Sequence, residues 1–390
     1  MINETKILQC VDIINSRVKP FEGKRKYLDT GGLNIDKIEE VREFDFESKP
    51  SRANQNVQVG DIILARMKGT VKVKVISDKE SDFMVSTGFL VLRPKENSSY
   101  LNFLKHIFLS DSFQRDKDEL CTGATQKAIN NGNFKKLKVF LPSLETQKKI
   151  AAILDEADKL RQLDKKLIEQ YDLLTQSLFV DMFGDPVRNP KRWKLKNIRA
   201  NCEKFCDGPF GSNLKSEHYV MSGVRIVRLQ NIGVGVFNDE DKIYIKKVHA
   251  DTLKNNHCIP GDILIGTMGV PNLRACILPD HIPLAINKAD CLICRPEKEV
   301  FNTTYLTYLL NNKSFVSSLS DLILGQTRGR ISMGRLATRD VIAPSTELQQ
   351  QFAERVHAIE AQKVQDQQSL KKSEELFNSL LQKAFKGELV

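Results

Sequence analysis

The 390-residue sequence has no long apolar run and none of the short motifs that mark a catalytic centre. No stretch approaches eighteen consecutive apolar residues, which argues against a membrane span. The first ten residues, MINETKILQC, lack a basic flank followed by an apolar run. We therefore expect no secretory signal and a cytoplasmic location. The apolar share of 41% still allows sizeable cores and two or three domains.

Nucleotide-binding and catalytic patterns are also missing. There is no GxxxxGK[ST] loop and no GxGxxG after a strand, so neither a nucleotide nor a methyl-donor pocket is indicated. No Ser–His or Cys–His pairing stands out among six scattered histidines. Asp280 and the run 297–299 are a weak candidate for a nuclease metal site, and a solvated turn is the favoured reading. We expect no catalytic residue and no cofactor in this chain.

Cysteine is present eight times but not in a metal-binding pattern. The two closest pairs are Cys202/Cys206 and Cys291/Cys294, and neither has histidines at ligand spacing. The second pair lies in CLIC, which is typical of a strand, where residues three apart point to opposite faces. We expect free, buried thiols and no metal.

An internal repeat organises the chain. The offset between the copies is 201 residues at the first pair and 202 from Arg93 onward, which indicates a gene duplication. The repeated elements are GDI at 60–62 and 261–263, Arg-Pro at 93–94 and 295–296, a G-x-T segment at 123–129 and 325–331, and Pro-Ser with Glu and Gln at 142–147 and 344–349.

Each copy begins with short β-like runs separated by turns, which predicts an α+β domain with a mostly antiparallel or mixed sheet. We place the two domains at residues 1–142 and 193–344. The predicted strands are 60–66, 71–76, 88–92, 224–229, 261–266 and 289–294, and the predicted short helices are 100–109 and 305–310.

Each copy ends in a long helix, at residues 143–184 and 345–387. The first helix is roughly 40 residues, or about 60 Å, which is too long to stand without a partner. Its predicted seam is Ile153, Ala157, Leu160, Asp164, Leu167, Tyr171, Leu174 and Leu178. The second seam, Phe352, Val356, Ile359, Leu370, Phe377, Leu380 and Ala384, is interrupted by Lys363, Asp366 and Ser373. We expect an antiparallel coiled coil with a pseudo-two-fold axis; the alternative is that each helix folds over its own domain.

A net charge of +10 and a pI near 9.1 favour a polyanionic partner. Polar and basic residues cluster at turns between strands, and Arg, Gln and Asn can make bidentate contacts with base edges. The candidate DNA-binding residues are Lys24, Arg25, Arg66, Lys68, Gln126, Lys127, Ser212, Asn213, Lys215, Arg228, Gln230, Asn231, Arg328 and Arg330. The recurrence of the G-x-T segment favours Gln126, Lys127, Arg328 and Arg330. For any one surface cation, simple solvation is the competing interpretation.

Several motifs, in this order, resemble the specificity subunits of type I restriction-modification systems. They are LPSLETQKKI at 141–150, the Leu-rich helix, FGDP at 183–186, Trp193, FGSNLK at 210–215, RLQNI at 228–232 and the repeated GDI and G-x-T elements. The resemblance covers essentially the whole chain. It implies two target-recognition domains that each read half of a split site in double-stranded DNA.

The resemblance also implies a non-catalytic role in a larger complex. The helices would set the spacer and dock two methyltransferase subunits, and restriction subunits would join. S-adenosylmethionine, ATP and Mg would then be bound by those partners. The first domain lacks clear counterparts of Trp193 and of 210–215, and we align Tyr27 to Thr30 with Arg228 to Asn231. Two alternatives stay open: a self-contained nuclease or methyltransferase, and a scaffold that does not bind DNA.

Overall fold

The computed structural model describes residues 4–324, 329–385 and 387–389. The chain divides into two compact units: unit 1 is Met1–Lys166 with Gln367–Val390, and unit 2 is Leu167–Asp366. The long helices α4 (Leu144–Phe183) and α9 (Thr346–Phe385) are 40 residues each, as predicted. Both helices cross the boundary, so each unit contains a part of both. The division into a domain at 1–142, a helix at 143–184, a domain at 193–344 and a helix at 345–387 stays a prediction.

Unit 1 is an α+β domain with two four-stranded sheets. One sheet has the order β6-β3-β10-β7, with β3 and β10 parallel, and the other is antiparallel with the order β2-β11-β8-β9. The strands are β1 (Glu4–Lys6), β2 (Val11–Ile14), β3 (Arg25–Leu28), β4 (Leu33–Asn34), β5 (Lys37–Ile38), β6 (Arg42–Phe44), β7 (Ala53–Asn56), β8 (Ile62–Ala65), β9 (Val73–Val75), β10 (Met84–Ser86), β11 (Phe89–Pro94) and β12 (Lys138–Phe140), and the short helices are α1 (Leu101–Leu109), α2 (Asp111–Glu119) and α3 (Asn131–Phe134).

Unit 2 repeats this topology. Its antiparallel sheet β14-β22-β19-β20 matches β2-β11-β8-β9, and its sheet β15-β17-β16-β21-β18 again contains one parallel pair, β16 with β21. The strands are β13 (Leu195–Asn197), β14 (Cys202–Cys206), β15 (Tyr219–Val220), β16 (Val224–Val227), β17 (Ile243–Ile245), β18 (His257–Cys258), β19 (Ile263–Gly266), β20 (Arg274–Ile277), β21 (Ala285–Asn287), β22 (Cys291–Pro296), β23 (Ile323–Leu324), β24 (Arg330–Ile331) and β25 (Asp340–Ile342), and the short helices are α5 (Lys247–Thr252), α6 (Thr303–Leu310), α7 (Lys313–Ser318) and α8 (Met333–Leu336).

The strands β8 and β19, in the interior of the antiparallel sheets, are buried on both faces, which explains why they are apolar throughout. In β8, Ile62 and Leu64 pack with the helices, while Ile63 and Ala65 pack toward the other sheet. In unit 2, Ile263 packs with α6 and α9, and Leu264 lies on the opposite face. The predicted α+β class and the strands around GDI are therefore confirmed.

Sheet register corrects one alignment between the copies. Tyr27 pairs with Met84 on β10, and Ile226 pairs with Ile286 on β21. Because the offset is 202 on both β9 and β11, Met84 corresponds to Ile286. Tyr27 therefore corresponds to Ile226, and its predicted alignment with Arg228 is wrong by two residues. This shift was invisible in sequence because the loops before β3 and β16 share no motif. The offset changes from 201 to 202 between β8 and β9, because Leu64 pairs with Val73 whereas the equivalent Ile265 pairs with Ala275, so the extra residue lies in the loop between β19 and β20.

The repeated GDI and Arg-Pro elements form, in each unit, an ion pair whose carboxylate is buried and whose arginine is partly exposed. Asp61 is fully buried and accepts from Arg93 Nε and Nη2 at 2.8 and 3.1 Å. Asp262 accepts from Arg295 Nε and Nη2 at 2.7 and 2.9 Å. The glycine before each aspartate has φ near +85°, at Gly60 and Gly261, which favours glycine. These repeated residues therefore stabilise the domain.

A buried glutamine anchors the start of each long helix. Gln147 Oε1 accepts from Tyr100 N at 2.8 Å, and its Nε2 donates to Ser98 O and Pro142 O. Gln349 makes the same three bonds, accepting from Asn302 N and donating to Val300 O and Pro344 O. The Pro-Ser…Gln motif thus joins each long helix to the loop before α1 or α6.

Replacing Gln349 with leucine should destabilise unit 2 by about 2 to 3 kcal/mol, because the amide of Asn302 and two carbonyls lose their partners in a dry site. Chemical denaturation followed by fluorescence of Trp193, the single tryptophan, measures this change. Gln351→Leu is the matched control, because Gln351 lies exposed on the same helix. Equal midpoints for the two variants would contradict the anchoring role.

The two long helices pack against each other within each unit, as the coiled-coil hypothesis predicts. In unit 1, Leu154 of α4 shares a core with Phe377 of α9, and Ser373 Oγ donates to Asp164 at 2.8 Å. In unit 2, Tyr171 Oη donates to Asp366 at 2.7 Å. In unit 1, Arg161 lies over Phe377 while Asp164 meets Ser373, and in unit 2, Tyr171 meets Asp366 while Asp172 meets Lys363, so within each unit the numbering runs in opposite directions along the two helices. They are antiparallel, and both also pack on the domain cores.

The predicted α4 seam is wrong at every second position, whereas the predicted α9 seam is buried or half-buried throughout. Ile153, Leu160, Leu167 and Leu174 are exposed by 39, 54, 38 and 49%. The buried face instead includes Leu154 and Thr175. Helix α4 carries two adjacent apolar stripes, and heptad spacing alone does not show which one faces α9. No helix of the described residues is long and apolar enough to cross a membrane.

Candidate nucleic-acid interface

In unit 1, two candidate-bearing loops meet at one edge of the antiparallel sheet. Loop 66–72 follows β8, and loop 121–130 follows α2. Met67 bridges Ala128, and Lys68 N donates to Lys127 O at 2.9 Å. Gly123 has φ of +137°, and a Cβ there would lie 2.4 Å from Gln126 O. The glycine of the G-x-T segment is thus needed to close the second loop.

Three predicted residues are exposed on these loops: Lys68, Gln126 and Lys127. Lys24 is exposed just before β3, and Arg25 begins that strand. Arg25 donates to Asp82 O through Nε and Nη2 at 3.0 and 2.6 Å, so much of its hydrogen-bonding capacity is used internally. Among the described residues, no hydrogen bond or ion pair joins Lys24 or Arg25 to the loop pair.

Two cations of unit 1 stabilise the loops from inside. Arg66 donates to Phe89 O at 3.0 Å and Ile129 O at 3.3 Å, and burial lowers its pKa. Lys117 is fully buried, and its Nζ lies 2.9 Å from Thr70 O and 3.3 Å from Met67 O. Burial also lowers the pKa of Lys117. Arg66 therefore stabilises the loops by hydrogen-bonding backbone carbonyls. The sequence did not indicate the similar role of Lys117.

In unit 2, the FGSNLK segment lies in a short 3-10 turn at Gly211–Asn213. Asn213 and Lys215 are exposed, and the carbonyl of Asn213 lies 2.9 Å from His249 Nε2. Lys215 pairs loosely with Glu217 at 3.6 Å. The side chain of Ser212 lies outside the described part of the chain. The exposed amide and ammonium groups of this turn are free to meet a ligand.

Of the three predicted DNA-binding residues in RLQNI, one is exposed and two form hydrogen bonds within the domain. Gln230 is exposed. Arg228 forms a bidentate pair with Asp241 at 2.7 and 2.5 Å, and this pairing raises the Arg228 pKa and lowers that of Asp241. Asn231 is fully buried and donates to Asn238 O and Asp241 O. Of the three, Gln230 is the one presented to solvent.

Arg330 lies at the start of β24, beside the loop after β19. Its Nη2 donates to Asp207 at 3.2 Å, its Nε is 2.5 Å from Asp290, and its guanidinium lies 5.2 Å from the Phe210 ring centroid. Burial raises the pKa of Asp207, although Arg330 opposes that shift. Arg328 lies outside the described residues. The contact roles of all fourteen candidates stay predictions.

Sequence reasoning missed Arg274, which stabilises the unit 2 loops much as Lys117 does in unit 1. Arg274 donates to Ile232 O, Leu229 O and Met268 O at 2.6, 2.9 and 2.8 Å. It also missed Asp207 and Asp290 beside Arg330. A lone cation or carboxylate in sequence carries no sign of such distant partners, so local patterns offered no signal.

The cysteines lie in cores. Cys291 and Cys294 are buried on opposite faces of β22, as predicted, and Cys294 Sγ lies 3.5 Å from Cys202 Sγ on β14. Burial raises the pKa of Cys276 to about 12 and that of Cys10 to about 11, which favours protonated thiols. Within the part of the chain that the structure describes, no three His, Cys, Asp or Glu side chains group to hold a metal ion.

Known proteins share both the sequence pattern and the fold. The family model of the type I restriction modification DNA specificity domain matches residues 12–171. The type I restriction enzyme MjaVIII specificity subunit of Methanocaldococcus jannaschii is 25% identical over 291 residues, covering 70% of this chain and 67% of that protein.

Solved structures extend the similarity in fold to nearly the whole chain. One, described as the structural basis underlying complex assembly and conformational transition of the type I R-M system, has a TM-score of 0.63 at 19% identity, covering 99% and 98% of the two chains. The type I restriction-modification system S subunit from M. genitalium has a TM-score of 0.56 at 16% identity, covering 98% and 96%. These comparisons confirm the resemblance predicted from the sequence, that of a specificity subunit of a type I restriction-modification system.

Proposed function

We propose that this chain is the DNA-recognising specificity subunit of a type I restriction-modification complex. One observation carries the proposal. The same α+β domain occurs twice, the shared Asp–Arg pairs and buried glutamines bond within the domain, and exposed polar and basic residues lie on loops outside these shared contacts. A duplicated scaffold with variable polar loops suits the reading of two different half-sites.

The chemistry would belong to the partners. Two methyltransferase subunits would bind S-adenosylmethionine and methylate adenine, and restriction subunits would use ATP and Mg. The exposed apolar side chains of α4 support helix docking of a partner, since leucines half-exposed on a helix are stabilised by being covered. In unit 1 these are Ile153, Leu160 and Leu163, and in unit 2 they are Leu167, Leu173 and Leu174.

The direct test is methylation mapping. The chain is combined with the methyltransferase subunit of its host, and the modified adenines in genomic DNA are sequenced. We expect modification at one bipartite sequence, and weak, salt-sensitive DNA binding by the chain alone. Methyl transfer or metal-dependent cleavage by the purified chain alone would instead support the enzyme alternative.

The long helices predict a spacer ruler. Seven residues inserted after Lys166 in α4 and seven at the facing position after Leu370 in α9 keep the heptad phase. They lengthen each helix by about 10 Å, which corresponds to about three base pairs. We expect the complex to prefer a target whose spacer is longer by that amount. Insertion in α4 alone is the control, since it disrupts pairing with α9, and an unchanged spacer in the double insertion would refute the ruler.

A further inference from the structure

The side chain of Arg330 is held in one orientation by three groups from other parts of unit 2. Asp290 contacts Nε, Asp207 accepts from Nη2, and Phe210 covers one face of the guanidinium. Arg330 remains 37% exposed, and Phe210 is half-exposed. Among the residues that the structure describes, Nη1 of Arg330 makes no hydrogen bond, whereas Nε and Nη2 both meet carboxylates. A guanidinium fixed along one edge thus presents its other edge outward.

Two unusual backbone features hold Asp207 and Asp290 beside Arg330. Asp207 accepts from the amides of Gly208 and Asp290 at 2.7 and 3.0 Å. A Cβ on Gly208 would lie 2.0 Å from the carbonyl carbon of Lys288, so only glycine allows this approach. Asp290 has φ of +66°, a left-handed conformation that aspartate adopts more readily than most residues. Strained backbone of this kind concentrates at functional sites.

The first copy has no equivalent of this cluster. Ala128 takes the place of Arg330, because Ala128 bridges Met67 as Arg330 bridges Met268. Asn15 follows β2 where Asp207 follows β14. Gly88 takes the place of Asp290, because Gly88 O accepts from Arg66 N as Asp290 O accepts from Thr267 N. The cluster is therefore not needed for the duplicated fold, unlike the Asp–Arg pairs and the buried glutamines.

We propose that Arg330 reads a guanine in the half-site recognised by unit 2, with Asp207, Asp290 and Phe210 as positioning residues. This inference rests on the proposed function and deepens it. A guanidinium has five N–H donors, and the two engaged by carboxylates leave a free edge that matches guanine O6 and N7. Two carboxylates beside one cation give the cluster a net negative charge, which disfavours a phosphate contact but not a neutral base edge.

The experiment uses the full chain assembled with its methyltransferase subunits. Wild-type, Arg330→Ala, Arg330→Lys and Asp290→Asn complexes methylate a randomised DNA library, and the products are sequenced. We expect the guanine preference at one position to fall about tenfold in both Arg330 variants, because lysine lacks the planar fork. Asp290→Asn should cause a smaller loss at the same position, with the other positions unchanged. Arg199→Ala, which removes an exposed arginine elsewhere in unit 2, should leave the preference at wild-type level.

Several results would overturn the assignment. A phosphate contact would weaken binding equally for all sequences, reduce the salt slope by about one and be rescued by lysine. A purely structural role would lower thermal stability without changing base preference in any variant. A wild-type complex with no sequence preference would overturn the proposed function, and this inference with it.

Discussion

Replacing Phe183 with alanine should lower the free energy of unfolding of unit 2 by about 3 to 5 kcal/mol. Phe183 is fully buried at the end of α4, and its ring centroid lies 4.7 Å from that of Tyr305 and 5.3 Å from that of Phe352. These rings come from α4, α6 and α9. Truncation would therefore leave a cavity where both long helices meet the domain core.

Denaturant unfolding measured by Trp193 fluorescence tests this prediction. Trp193 Nε1 donates to Phe183 O at 2.8 Å, so the single tryptophan reports on this part of unit 2. Val180→Ala is the control on the same helix, because Val180 is 50% exposed, and we expect its effect to stay within about 0.5 kcal/mol. If Phe183→Ala had an effect as small as the control, the aromatic cluster would not be the core of this junction.

Replacing Asp262 with alanine should destabilise unit 2 by about 3 kcal/mol. The carboxylate is 1% exposed, and it accepts from Ile259 N at 2.8 Å as well as from Arg295. Without this carboxylate, the Arg295 guanidinium and the Ile259 amide would both lack a hydrogen-bond partner, and the Arg295 side chain is only 28% exposed. Removing one partner of a buried ion pair costs more than the pair contributes.

Two further variants separate the ion pair from a general charge effect. Asp280→Ala removes an exposed carboxylate near the same sheet and should change stability by less than about 0.5 kcal/mol. The double variant Asp262→Leu with Arg295→Met should recover part of the lost stability, because no unpaired charge remains. A double variant less stable than Asp262→Ala would contradict this account.

The sequence by itself determined the features that depend on local pattern. The repeat predicted two α+β domains, and the apolar runs around GDI predicted the strands of the antiparallel sheet. Forty residues of helical spacing between Pro-Ser and Gly-Asp-Pro predicted a long helix, because capping residues and periodicity act within a few turns. The order of motifs was enough to indicate the resemblance to specificity subunits.

The tertiary structure decided what depends on distant partners. It selected which apolar stripe of α4 faces α9, since both stripes have helical spacing. It engaged Arg66, Arg228 and Asn231 in internal bonds, although their sequence context favoured DNA contact. Arg330 meets Asp207, 123 residues away, through a turn that requires Gly208. Contacts between residues far apart in the sequence produce no local periodicity. Only the packed structure therefore distinguishes a side chain that is hydrogen-bonded inside the domain from one that is exposed to solvent.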